Sequence, residues 1–196
     1  MGTAGSLSTP LGAKSRVNGL VRESMWSESA FEALFLDHYP RVVGVLVRLV
    51  GERTRAEELA NDVFWRAYRQ HDLVRSEGNV GGWLYRTATN LGIDALRAAA
   101  RRRRYEDAAG RARIESGDGA ADPLGELLRA ERQQRVRAVL ARLKPGQAQI
   151  LVLRASGLSY QELAEALGVK RGSVGTMLIR AEAEFQKHYL RLYGGQ

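Results

Sequence analysis

Residues Leu158–Ala181 read LSYQELAEALGVKRGSVGTMLIRA, and this stretch decides the fold. Ser159-Tyr160-Gln161-Glu162 has the spacing of a capping box, in which the serine hydroxyl and the glutamate carboxylate each satisfy an orphan backbone N–H. Leu163, Ala164 and Leu167 form an apolar stripe behind it. Gly168 then ends the helix in the left-handed conformation that a tight turn needs. A second helix carries Val174, Leu178, Ala181 and Phe185 at spacings of four, three and four. A small Ala164 at the crossing, a glycine at the corner and a branched Val174 beneath the second helix make a helix-turn-helix. Its outward face presents Lys170, Arg171, Ser173, Thr176 and Arg180, groups that meet phosphates and base edges when a recognition helix enters a major groove. An ordinary helical hairpin with a solvated basic face has the same pattern, and the motif alone leaves both readings open.

Upstream the text is also helical. Ala30, Phe31, Leu34, Phe35 and His38 share a face, Pro40 interrupts, and Val42–Val50 resume the pattern until Gly51 stops it. Thr54-Arg55-Ala56-Glu57 reads as another capping box, opening a helix to about Gln70. There Ala56, Leu59, Ala60, Val63, Phe64 and Ala67 make the core stripe. The opposite side shows Glu57, Glu58, Asn61, Asp62 and Trp65. A tryptophan among acids either anchors a protein interface or packs on a neighbouring helix, and spacing does not separate the two.

A third helix is expected over about 82–104, with Leu84, Ala88, Leu91, Ala95 and Ala98 facing the core. Its other stripe is Trp83, Thr87, Asn90, Asp94, Arg97 and Arg101, an aromatic head and an arginine tail suited to unpaired bases and phosphates. The Arg101–Arg104 run has a plainer explanation too, since cations offset the dipole at a helix C-terminus. Asp94 is equally placed to pair with Arg97 or Arg101.

Between Tyr105 and Asp122 the apolar face disappears, and Gly117-Asp118-Gly119 with Asp122-Pro123 mark an acidic linker. No stretch alternates as a strand does, and no repeat period appears. The expected fold is all-α: a flexible arm over 1–24, a helical domain over 25–104, a flexible acidic linker over 105–123, and a helix-turn-helix domain over 124–193.

Composition narrows the function classes. The chain has 196 residues and a formal net charge of +8, which makes polyanions plausible partners. With no cysteine there are no disulfides and no Cys-built metal sites, and His38, His71 and His188 have no ligand spacing, so no metal or cofactor is expected. The longest apolar run, Val42–Val47, is far short of the ~20 residues of a membrane span. With no signal segment evident after Lys14 and Arg16, a cytoplasmic protein is expected. No nucleophile–base pair, phosphate-cradling glycine loop or metal cluster points to an enzyme.

Three blocks together resemble the extracytoplasmic-function (ECF) sigma factors, the two-domain branch of the sigma-70 family of bacterial transcription initiation factors. They are AEELANDVFWRA at 56–67, GWLYRTATNLGIDALR at 82–97, and the stretch at 158–181. The resemblance implies no catalysis but promoter selection and strand opening for RNA polymerase. It places Glu58, Asn61, Asp62 and Trp65 against the clamp of the largest polymerase subunit. It gives the −10 element to Asn79, Trp83, Asn90, Arg97 and Arg101, with a flipped base held in the loop from Asn79 to Gly82. It gives the −35 element to Lys170, Arg171, Ser173, Thr176 and Arg180 within the helix-turn-helix at 159–180, and it implies an anti-sigma partner. The linker would thread toward the RNA exit path.

Two departures stand out: Gly175 and Met177 lie where many relatives carry Lys and Arg, which removes phosphate contacts and flattens the salt dependence. Gly175 also weakens its helix, which points to close approach by a neighbour. A stand-alone helix-turn-helix regulator of duplex operators is the rival reading; it would need a dimer surface or effector domain.

Overall fold

The computed structural model describes residues 27–70, 78–108 and 123–194. Seven helices account for nearly all of them, and no strand occurs among the described residues. In chain order these are α1 (Glu28–Val50), α2 (Arg53–Arg69), α3 (Val80–Ala108), α4 (Pro123–Leu140), α5 (Pro145–Ala155), α6 (Tyr160–Leu167) and α7 (Arg171–Tyr193). The expected arm (1–24) and His71 lie outside the described residues, as does the body of the expected linker. The linker's first residues are helical, because α3 runs on through Tyr105 to Ala108.

Helix α1 starts at Ser27, whose hydroxyl accepts from the Ala30 N–H at 3.2 Å, and ends at Gly51 with φ +84°. Pro40 does not interrupt it. Proline only removes the bond to the carbonyl four residues back, that of Leu36. Leu36 and Pro40 are both exposed, so the missing bond lies on the solvent side and the helix continues.

The Thr54 capping box is likewise not formed. Helix α2 begins two residues earlier, with Glu52 as its N-cap and no side-chain cap, and Glu57 pairs instead with Arg53 at 2.8 Å. The core stripe of α2 is fully buried as its spacing requires, from Ala56 to Ala67.

Helix α3 is the element on which the rest is built. One side packs on α1 and α2, the other on α5 and α6. Its buried residues are Leu84, Tyr85, Ala88, Thr89, Ile93 and Leu96, whereas Leu91 and Ala95 are only partly buried. The expected single core face is thus shifted and widened, because the helix has partners on two sides. Gly92 allows the α1 side: a Cβ there would lie 2.5 Å from Leu49 Cδ1. The two halves share one apolar cluster, running from Val42 and Leu46 to Leu178 and Ala181.

Candidate nucleic-acid and polymerase interface

The helix-turn-helix forms as its local signals dictate. Ser159 Oγ accepts from the Glu162 N–H at 3.3 Å, and Glu162 Oε2 accepts from the Ser159 N–H at 2.8 Å. Gly168 sits at φ +66°, and Val174, Leu178 and Ala181 are buried under α7. Lys170, Arg171, Ser173, Thr176 and Arg180 are all exposed at the start of this helix. Ile179 joins them at 69 % exposed, three residues after Thr176 on the same side. Sequence reading passed over it because it breaks no apolar stripe. An exposed apolar residue beside Thr176 is what the thymine methyl group accepts. Gly175 meets only the Tyr160 ring, at 3.9 Å from a built Cβ, so no close approach requires it.

On α2 the acidic side is open. Trp65 is 59 % exposed and stacks on Tyr68 with ring centroids 6.0 Å apart. Glu58 pairs with Arg55 at 2.6 Å and Asp62 with Arg66 at 2.9 Å, while Asn61 is exposed. Both ion pairs are local and on the surface, worth at most ~0.5 kcal/mol each, so an incoming partner displaces them at small cost.

The third set is arranged differently. Asn79 caps α3, its Oδ1 accepting from the Gly82 N–H at 2.7 Å, and its amide Nδ2 donates to Glu165 of α6. Asn90 accepts from Gln149 of α5 at 2.6 Å, and Gln149 also reaches Thr89 at 3.4 Å. Arg97 donates to the Leu143 carbonyl at 2.8 Å, so it does not need Asp94. Trp83 is half-buried against the core, and Arg101 is exposed. Three of the five residues in this set therefore already have partners in the C-terminal half.

Two more contacts fasten that side. Arg41 donates to Glu162 at 2.8 Å, and Arg86 donates to the Ala166 carbonyl at 3.1 Å. The Ser159 N–H and then the Arg41 guanidinium hold the Glu162 carboxyl well below its usual range, at about 2. A small cavity closes here around His38, Gly81, Gly82 and Tyr85. Burial raises the pKa of the Tyr85 hydroxyl, which has no hydrogen-bond partner among the described residues. A Cβ on Gly82 would sit 3.1 Å from the Glu165 backbone, so the glycine permits the approach of α6.

Known proteins resemble the chain along both halves. The family model for sigma-70 region 2 matches residues 34–102, and that for sigma-70 region 4 matches residues 133–184. The RNA polymerase sigma-H factor of Pseudomonas aeruginosa is 30% identical over 164 residues, covering 81% of this chain and 85% of that protein. The RNA polymerase sigma factor YlaC of Bacillus subtilis is 28% identical over 170 residues, covering 84% and 94%. Among solved structures, CnrH in complex with the cytosolic domain of CnrY aligns with a TM-score of 0.54 at 21% identity, covering 82% of this chain and 88% of that one. No described helix is long and apolar enough to cross a membrane.

Proposed function

Since the chain belongs to the ECF branch of the sigma-70 family of RNA polymerase sigma factors, which direct transcription initiation, we propose that three separate surfaces divide its work. The exposed acidic side of α2, with Glu58, Asn61, Asp62 and Trp65, docks on the clamp of the largest polymerase subunit. The first turns of α7, with Lys170, Arg171, Ser173, Thr176, Ile179 and Arg180, read the −35 element as duplex. The α3 edge, with Asn79, Trp83, Asn90, Arg97 and Arg101, holds the melted −10 strand. Unstacking those bases costs a few kcal/mol, which aromatic and polar contacts to the strand repay.

One observation carries this reading: the −35 set is wholly exposed on a formed helix-turn-helix, while Asn79, Asn90 and Arg97 are occupied by the opposite half. The described state is therefore closed. The halves must part before the −10 strand can take those groups, and polymerase docking on α2 supplies the free energy. The protein acts in the cytoplasm, without a chemical step of its own. CnrH is solved in complex with the cytosolic domain of CnrY, and an anti-sigma partner of this chain would act by holding the halves together.

Run-off transcription with core polymerase on a template bearing both elements tests this reading. The chain restores initiation. Asp62→Arg combined with Trp65→Ala weakens core binding at least ~30-fold, since a buried interface anchor carries about 2 kcal/mol or more. Duplex binding that is indifferent to polymerase, with no transcript, would favour the stand-alone regulator.

A further inference from the structure

A groove of about 930 Å³ opens between the halves, meeting the proposed −10 edge at Arg97 and Arg101 and lying apart from the other two surfaces. Arg97 and the run from Arg101 to Arg104 form one wall, on α3; Arg135, Arg137 and Arg142 form the other, on and just after α4. Among the described residues nine arginines line it, the ninth being Arg55, against two acids, Glu52 and Glu131. One of those acids is engaged, since Glu131 pairs with Arg135 at 2.5 Å. The floor is small and apolar, with Ala95, Ala98, Ala138 and Ala141. The second wall is firmly seated: a Cβ on Gly51, at the α1–α2 corner, would lie 2.7 Å from Arg137 Cζ. Nine of the chain's 30 cationic side chains thus line one concave place, with Arg55 paired to Glu58, Arg97 to the Leu143 carbonyl and Arg135 to Glu131.

Such crowding of like charge is unfavourable in the absence of anions. Its chemistry selects the ligand. Guanidinium forks match phosphate oxygens two at a time, and the volume falls within the roughly 300–1,000 Å³ range of small-molecule sites. A duplex is a convex body too broad to enter between two helices. A carboxylate-bearing peptide spreads its charges along a backbone that this floor has no donors to bind. A short chain of linked phosphates brings several charges into the space available.

We propose that this groove is a binding site for a compact polyphosphate, of the class of a nucleoside tri- or tetraphosphate or a short inorganic polyphosphate, and that filling it holds the two halves together. Both walls are needed, so the site exists only in the closed state. Its occupant therefore opposes opening of the −10 edge. The binding part stands whether or not the promoter assignments above are right.

The test uses the full chain, inorganic tripolyphosphate and near-physiological salt, read by calorimetry and by thermal shift. Tripolyphosphate is expected to bind at least tenfold more tightly than monophosphate, and to raise the melting temperature. Arg102→Ser with Arg104→Ser on one wall, and Arg135→Ser with Arg142→Ser on the other, each weaken it at least tenfold. Arg129→Ser with Arg132→Ser, exposed on α4 outside the groove, removes the same charge and leaves affinity unchanged. Helicity by circular dichroism verifies that each variant is folded. A nucleoside triphosphate that binds more tightly than tripolyphosphate identifies a nucleotide as the source; equal affinity identifies the phosphate chain alone. Three results overturn the proposal: no binding, equal loss in the control pair, or a thymidine oligomer of matched charge binding as well and depending on the α3 wall alone.

Discussion

The two edges proposed to face DNA are both built on helices but differ in what lies over them. At the start of α7 every assigned side chain is exposed, and the helix is positioned by neighbours within its own half. Along α3, Asn79, Asn90 and Arg97 are hydrogen-bonded to α6, α5 and the residue before α5's cap. Under the proposed division of surfaces, the edge assigned to duplex is open in the described state, whereas three groups of the edge assigned to the melted strand are hydrogen-bonded to the other half, Asn90 while still exposed. The proposal thereby ties promoter melting to a change in the relation of the two halves.

Among the tests of this contrast, the largest expected effect comes from removing the hydrogen bonds that cover the α3 edge while leaving the strand contacts in place. Arg41→Ala, Gln149→Ala and Glu165→Ala together should raise the free chain's affinity for a single-stranded −10 oligonucleotide about tenfold, or ~1.4 kcal/mol. Affinity for −35 duplex should not change. Fluorescence anisotropy on the two probes reads both, and an equal rise in both would erase the contrast.

Acidification tests the same mask by titration. Glu162 has a folded-state pKa of about 2, below its unfolded value near 4.3. The stability it contributes is therefore present above about pH 4 and is lost as pH falls toward 2. Urea melts over that window should show the loss in the parent and a smaller slope in Glu162→Gln. At neutral pH that variant costs about 1 kcal/mol, because it weakens a capping box and removes the charge facing Arg41.

How far all this could be read from the chain follows the same division. The helix-turn-helix was legible because its signals are local: a capping box four residues long, a glycine corner, an apolar spacing on one helix. The core stripe of α2 was legible for the same reason. What could not be read was the second covering of α3. Its contacts join Arg41 to Glu162 and Asn79 to Glu165, pairs 121 and 86 residues apart, and no period within a helix announces them. Gly82 was visible as a loop residue, but its role in admitting the Glu165 backbone depends on a helix from the other half. Thr54 and Pro40 misled in a simpler way. A capping pattern one residue inside a helix, and a proline whose lost bond faces water, both look like boundaries.

The smallest expected effect sharpens the bare edge. Gly175→Ala on α7 fills open space beside Tyr160 and removes backbone freedom from the unfolded chain. It should stabilise the protein by up to about 1 kcal/mol, visible as a melting temperature a few degrees higher, with −35 affinity intact. A drop in stability would contradict the finding that nothing crowds this position.

Because the chain has no cysteine, two introduced thiols can be labelled without competition, and this permits the most direct measurement. Glu32→Cys on α1 and Gln186→Cys on α7 are both exposed and outside every assigned surface. The distance between a donor and an acceptor there should be single-valued in the free chain, and should change when core polymerase and promoter DNA are added together. A broad distribution in the free chain, or a distance that polymerase and promoter leave unchanged, would contradict the closed state on which the account rests.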